Sequence, residues 1–127
     1  MTKALRVPDY LGHILKAIER IDRYTADMDE VAFLNSELVQ DAVIRNLQIL
    51  AESSQRLSSE IKGTELQIPW RELAGFRNVI VHGYLGVDLG AVWLVVEQDL
   101  PALSKAVNRM VKRLGPLPAD EAVGYLS

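Results

Sequence analysis

Residues 36–63 read SELVQDAVIRNLQILAESSQRLSSEIKG, and whether this stretch is helix or strand settles the class of the fold. It is far too long for a strand. Ser36 followed by Glu37 opens it as a helix N-terminus, and Gly63 closes it by the usual C-terminal glycine signal. At about 100° per residue, Leu38, Val39, Ala42, Ile49, Leu50 and Leu57 share one stripe, with Asn46 and Ser53 inside it. The spacing predicts one long amphipathic helix over 36–63.

The pattern repeats on both sides. From Pro8, PDYLGHILKAIERIDRYTAD sets Tyr10, Leu11, Ile14, Leu15, Ala17, Ile18 and Ile21 at helical spacing, with Pro8 acceptable in a first turn. Between these helices MDEVAFLN reads as a short connector helix that begins on acidic residues. Beyond the loop GTELQI, Pro69 and Trp70 open a third main helix that runs through RELAGFRNVIVH and stops at Gly83. GYLGVDLG is a turn, and Asp88 is an N-cap for the last helix, AVWLVVEQDLPALSKAVNRMVKRLG, which Pro101 bends or interrupts and Gly115 ends. VWLVV is too short and isolated to build a sheet, and no Asn-Gly or Asp-Gly hairpin signal occurs. The expected fold is an all-α antiparallel helical bundle of four main helices plus a short connector helix. It forms a single domain over 1–115, followed by a mobile or loosely packed tail over 116–127.

Composition narrows the function. With 127 residues, 49% hydrophobic and 24% charged, the chain suits one domain with its own core. The absence of cysteine removes disulfides and thiolate zinc sites, and two histidines, His13 and His82, are too few for a multi-histidine metal site in one protomer. No metal or cofactor is expected. Asp9, His13, Lys16, Glu19 and Arg20 interrupt any apolar region behind Lys3 and Arg6, and no run of about 18 uncharged apolar residues occurs, so a cytoplasmic location without membrane contact is expected. A net charge of −3 argues against a broad electrostatic grip on nucleic acid, though not against a small local site.

The segment with unusual chemistry is Arg77, Asn78, Val79, Ile80, Val81, His82, Gly83, Tyr84. On a continuous α-helix Asn78 and His82 share a face, while Arg77 is offset from His82 by about 140°. Its long side chain, or a partner subunit, must then bring the guanidinium to the imidazole. The plain reading is that His82 complements a helix C-terminus while Arg77 and Asn78 are solvated. An Arg five before a His arises by chance about one time in seven at this composition, so the bare pair is weak; Asn after the Arg and Tyr two after the His make the octet much rarer.

The octet resembles the Arg-x4-His-x-Tyr signature of the HepT-like ribonucleases, the toxin halves of HEPN/nucleotidyltransferase toxin–antitoxin pairs. DYLGHILKAIERI, DAVIRNLQILAES, IPWRELAGFRNVIVHGYLGVD, VW and DLPAL are similar to that family in order and spacing, over roughly residues 5 to 114. The resemblance implies an all-helical HEPN-like homodimer that cleaves RNA without a metal where two copies of the signature meet. It implies that Arg77 and His82 are catalytic, that Asn78 is a supporting polar residue, and that Tyr84 accepts adenylyl groups (AMPylation) from a nucleotidyltransferase antitoxin, in a complex that can exceed the dimer. The alternative is a catalytically silent helical module that binds a nucleotidyltransferase partner or a nucleotide through the same pocket.

The remaining polar and aromatic residues carry weaker signals. Arg45 and Asn46 repeat the Arg-Asn pair, but Ala51 stands where a histidine would be needed. Asn46 and Ser53, if buried, make interhelical polar contacts or line the signature pocket. His13 is a boundary residue, and Asp27, Asp29 and Glu30 are dipole partners of a helix start rather than a cation site. Trp70 and Trp93 are core or interface anchors. The apolar surplus at Trp93, Leu94 and Val96 suggests the homodimer interface.

Overall fold

The computed structural model describes residues 6–78 and 87–114, and every regular element among them is helical. The all-α reading therefore holds. Helix α1 (Val7–Thr25) carries Pro8 in its first turn, and the Asp9 carboxylate accepts from the Arg6 backbone N–H at 2.9 Å, satisfying a donor that the helix leaves free. Leu11, Ile14, Ala17, Ile18 and Ile21 recur every three or four residues and are all buried. This stripe packs against α3 (Glu37–Gln55) and α7 (Leu100–Leu114), which makes α1 the shared wall of the core.

The acidic connector forms α2 (Glu30–Leu34), with the Asp29 carboxylate capping the Ala32 N–H at 2.8 Å. Gln40, buried in α3, donates its amide to the carbonyls of Phe33 and Leu34 at 2.9 and 3.1 Å, closing the C-terminal end of α2. Phe33 in turn stacks on Trp93 of α6 (Leu89–Leu94) at 5.4 Å between ring centroids. One short helix is thus held from both sides by packing and by a side-chain cap.

The stretch 36–63 is two helices rather than one. After α3, the amides of Arg56 and Leu57 bond to Ser53 and Ser54, Leu57 turns into the core, and Ser58 caps a new helix α4 (Ser59–Lys62) through the Ile61 N–H at 3.1 Å. Serine competes for backbone groups, which favours a break where four serines cluster. Gly63 is right-handed, φ −63° and ψ −18°, and leads into a 3₁₀ turn (Gly63–Glu65) instead of the left-handed stop expected of it. The expected stripe is also rotated by about a quarter turn. Leu38 is 81% exposed, whereas Val43, Ile44, Leu47, Leu50 and Ala51 are buried. Apolar residues lie on most sides of α3, so periodicity alone does not select the face; α1 on one side and α5 (Trp70–Ala74) with the turn after it on the other do.

The interruption expected at Pro101 takes the form of a π-helical turn over Val95–Asp99 between α6 and α7. Proline has no N–H for the fourth carbonyl back, and its ring crowds that carbonyl. The Leu100 N–H reaches five residues back to Val95, which widens the helix just before the proline. Trp93 and Val96 are buried within this chain, so the apolar surplus assigned to a dimer interface is largely core, and Leu94 alone of the three is half exposed. The tail 116–127 lies outside the described residues.

Candidate functional site

The signature follows α5, which is anchored by the buried Leu73 and by Trp70. The Trp70 indole N–H is shared between the carbonyls of Lys62 and Glu65 at 3.2 and 3.1 Å, which fixes the chain direction into the helix. At Gly75 the chain leaves α geometry and runs as a 3₁₀ turn over Gly75–Asn78, with Phe76 packed against the core. The backbone of Arg77 and Asn78 lies in this turn, pressed against α3. The uninterrupted α-helix expected from Pro69 through His82 is therefore not what forms, and the 140° offset derived from it does not apply. Glycine weakens a helix interior, and a 3₁₀ turn winds more tightly, at three residues per turn. His82 and Tyr84 lie outside the described residues. On the far side, Val87 packs on the core and the Asp88 carboxylate caps α6 through the Ala91 N–H at 3.0 Å, as expected of an N-cap.

Helix α3, which packs against this turn, also buries polar side chains. Asn46, 5% exposed, donates its amide to its own helix at Ala42 O (2.9 Å), and among the described residues its carbonyl oxygen accepts nothing. Ser53 is buried, and Ser54 donates to Leu50 O at 2.8 Å. Burial of Asn46 and Ser53 was legible in the sequence; a bond from Asn46 to a neighbouring helix is not what its amide makes. Arg45 is exposed and donates to Gln48 at 3.0 Å.

Sequence reasoning missed a charged cluster beside the turn that leads into α5. Glu65, read as loop, is 3% exposed and accepts from Arg109 (2.7 and 3.3 Å) and Arg113 (2.7 Å) of α7 and from Gln67 (2.6 Å). The hydrogen bond from Arg109, followed by those of Gln67 and Arg113, outweighs burial and lowers the Glu65 carboxyl from 4.5 to about 2. Arg113 also donates to Thr64 at 2.9 Å. Separations of 44 and 48 residues leave no local signal for this cluster.

Three other residues singled out in the sequence are also placed. His13 is exposed beside Tyr10 at 6.5 Å, Asp29 is a cap, and Trp93 is core. Among the described residues no three His, Asp or Glu side chains converge as metal ligands, and no helix is long and apolar enough to cross a membrane.

Comparison with known proteins meets this geometry from the other side. The profile of the family described as Ribonuclease HepT-like matches residues 14–110. A Methanocaldococcus jannaschii protein named as a gamma-glutamylcyclotransferase and, provisionally, as an RNase is 41% identical over 105 residues, which are 83% of this chain and 47% of that protein. The chain thus spans about half the length of that relative. A Thermococcus cleftensis protein named "Probable ribonuclease HepT" is 38% identical over 104 residues, 82% of this chain and 94% of its own. No solved structure gives a significant match. The chain belongs to the HepT-like ribonuclease family.

Proposed function

We propose that the protein is a metal-independent endoribonuclease, the toxin of a toxin–antitoxin pair, acting in the cytoplasm as a homodimer. The observation that carries the reading is the intact octet Arg77 to Tyr84 in a chain of this family, with its first two members on a turn pressed against α3. In metal-independent cleavage the substrate's 2′-OH attacks the adjacent phosphorus, and the bond from phosphorus to the 5′-oxygen breaks. The products are a 2′,3′-cyclic phosphate and a 5′-OH. Such a reaction needs a base for the 2′-OH proton, an acid for the departing 5′-oxygen and a cation for the charge on the non-bridging oxygens. His82 of one chain is the base, His82 of the second chain the acid, and Arg77 the cation, whose planar fork suits phosphate oxygens. Asn78 is the supporting polar group. Each chain has one histidine at the signature, which is why two chains are needed. The exposed Val31, Leu34, Leu38 and Leu94, on α2 and the two helices it packs against, offer apolar surface for association.

A nucleotidyltransferase antitoxin neutralises this activity by transferring AMP to Tyr84. The phenolic oxygen attacks the α-phosphorus of ATP and pyrophosphate leaves. The added negative charge and nucleoside beside Arg77 then oppose the RNA phosphate. Total RNA incubated with the purified protein in EDTA tests the reading. Cleavage to 2′,3′-cyclic phosphate ends is expected; cleavage only with added divalent metal, or products with 3′-OH ends, contradicts it. Intact-mass analysis with the antitoxin and ATP is expected to give AMP adducts that vanish in Tyr84→Phe.

A further inference from the structure

Helix α7 is charged in one sign only. Between Leu100 and Leu114 it carries Lys105, Arg109, Lys112 and Arg113 and no acidic residue, in a chain whose net charge is −3. With Asn108 these side chains occupy an arc of about 140° opposite the buried Leu103, Val107 and Met110. Lys105, Asn108, Arg109, Lys112 and Arg113 are all exposed. Along the axis the four charges span about 12 Å, at 1.5 Å per residue.

Two of the four charges are also held in place. Arg109 and Arg113 are each bound on their inner side by Glu65 while their side chains stay about half exposed (49% and 46%). A guanidinium has five N–H donors, and neither arginine uses more than two in these bonds. The remaining donors belong to half-exposed side chains already held by Glu65, so less rotamer entropy is lost when a phosphate binds. One carboxylate against two guanidiniums leaves the cluster with a net positive charge. Glu65 closes the turn that the Trp70 indole ties to α5, so the strip is linked directly to the helix that leads into Arg77.

We propose that this face of α7 is a track for the RNA phosphate backbone, outside the signature, which holds single-stranded substrate while another part of it occupies the cleavage site. The proposal rests on the ribonuclease reading above. It answers how an acidic chain grips a polyanion: the opposing charge is displaced to other elements and one helix face is kept basic.

The test uses Lys105→Ala/Lys112→Ala, because neither lysine contacts Glu65 and the cluster that holds the turn is preserved. Binding of a fluorescent single-stranded RNA, 2′-O-methylated so that it cannot be cut by 2′-OH attack, is measured by anisotropy against salt. Two lost contacts lower the salt slope by about 1.4, so between 50 and 200 mM salt the variant loses about sevenfold less affinity than the unaltered protein. That result, together with weaker binding at 50 mM, is expected. An unchanged affinity and slope overturn the proposal, as does a variant that binds RNA normally but no longer associates with the nucleotidyltransferase, which makes the strip a protein-docking face. Failure of the parent reading looks different: the unaltered protein then does not cut total RNA, whatever the salt slope.

Discussion

Glu65 ties the turn before α5 to α7 through Arg109 and Arg113. Its carboxyl is held at about 2 in the folded chain against an ordinary 4.5, so the folded state favours the ionised form. The stabilisation it contributes is complete above about pH 4.5 and is lost as pH falls toward 2. Glu65→Gln is expected to lower the melting temperature at pH 7 and to flatten the decline in stability between pH 4.5 and 2. Thermal melts of both proteins across that range check this; parallel curves would show that ionisation of Glu65 contributes nothing to folding. Phe33→Ala is expected to cost about 3–5 kcal/mol in denaturant unfolding, since Phe33 is fully buried and carries the contact with Trp93. Phe33 was readable as apolar in a connector helix. Glu65 was not readable at all, because its charged partners stand on an element more than 40 residues away.

At the scale of elements, capping chemistry was legible and continuity was not. Ser36 and Asp88 cap the helices that their positions announced. The break at Ser58 and the 3₁₀ turn from Gly75 escaped, because each is a local compromise between helix winding and packing, whereas the interruption at Pro101 was announced and only its π-helical form was not. Gly63 gives a direct check. It sits in right-handed geometry with open space where a Cβ would be, so its glycine is not required by conformation. Gly63→Ala is expected to stabilise the fold by about 0.4–1 kcal/mol by reducing the freedom of the unfolded chain. Chemical denaturation measures it, and a destabilised variant would contradict the right-handed assignment.

For the whole molecule, the all-helical class was written in the spacing of α1 and α3, and the family in the octet and its flanks. The face of α3 that turns inward was not, since Leu38 and Leu47 are equally apolar and the packing of α1 and α5 chooses between them. The proposed dimer likewise loses the support of Trp93 and Val96, which serve the core, and depends on the remaining exposed apolar side chains and on the need for two histidines. Sedimentation at micromolar concentration is expected to show a dimer; a monomer that still cuts RNA would remove the shared site. The central claim is that Arg77 and His82 perform the cleavage. The most direct measurement is the single-turnover rate on a defined RNA in EDTA for the unaltered protein, Arg77→Ala and His82→Ala, with circular dichroism confirming that each is folded. The account predicts that His82→Ala loses about 10² to 10⁴ in rate and that Arg77→Ala falls by a comparable factor. Cleavage at the unaltered rate by either folded variant would contradict it.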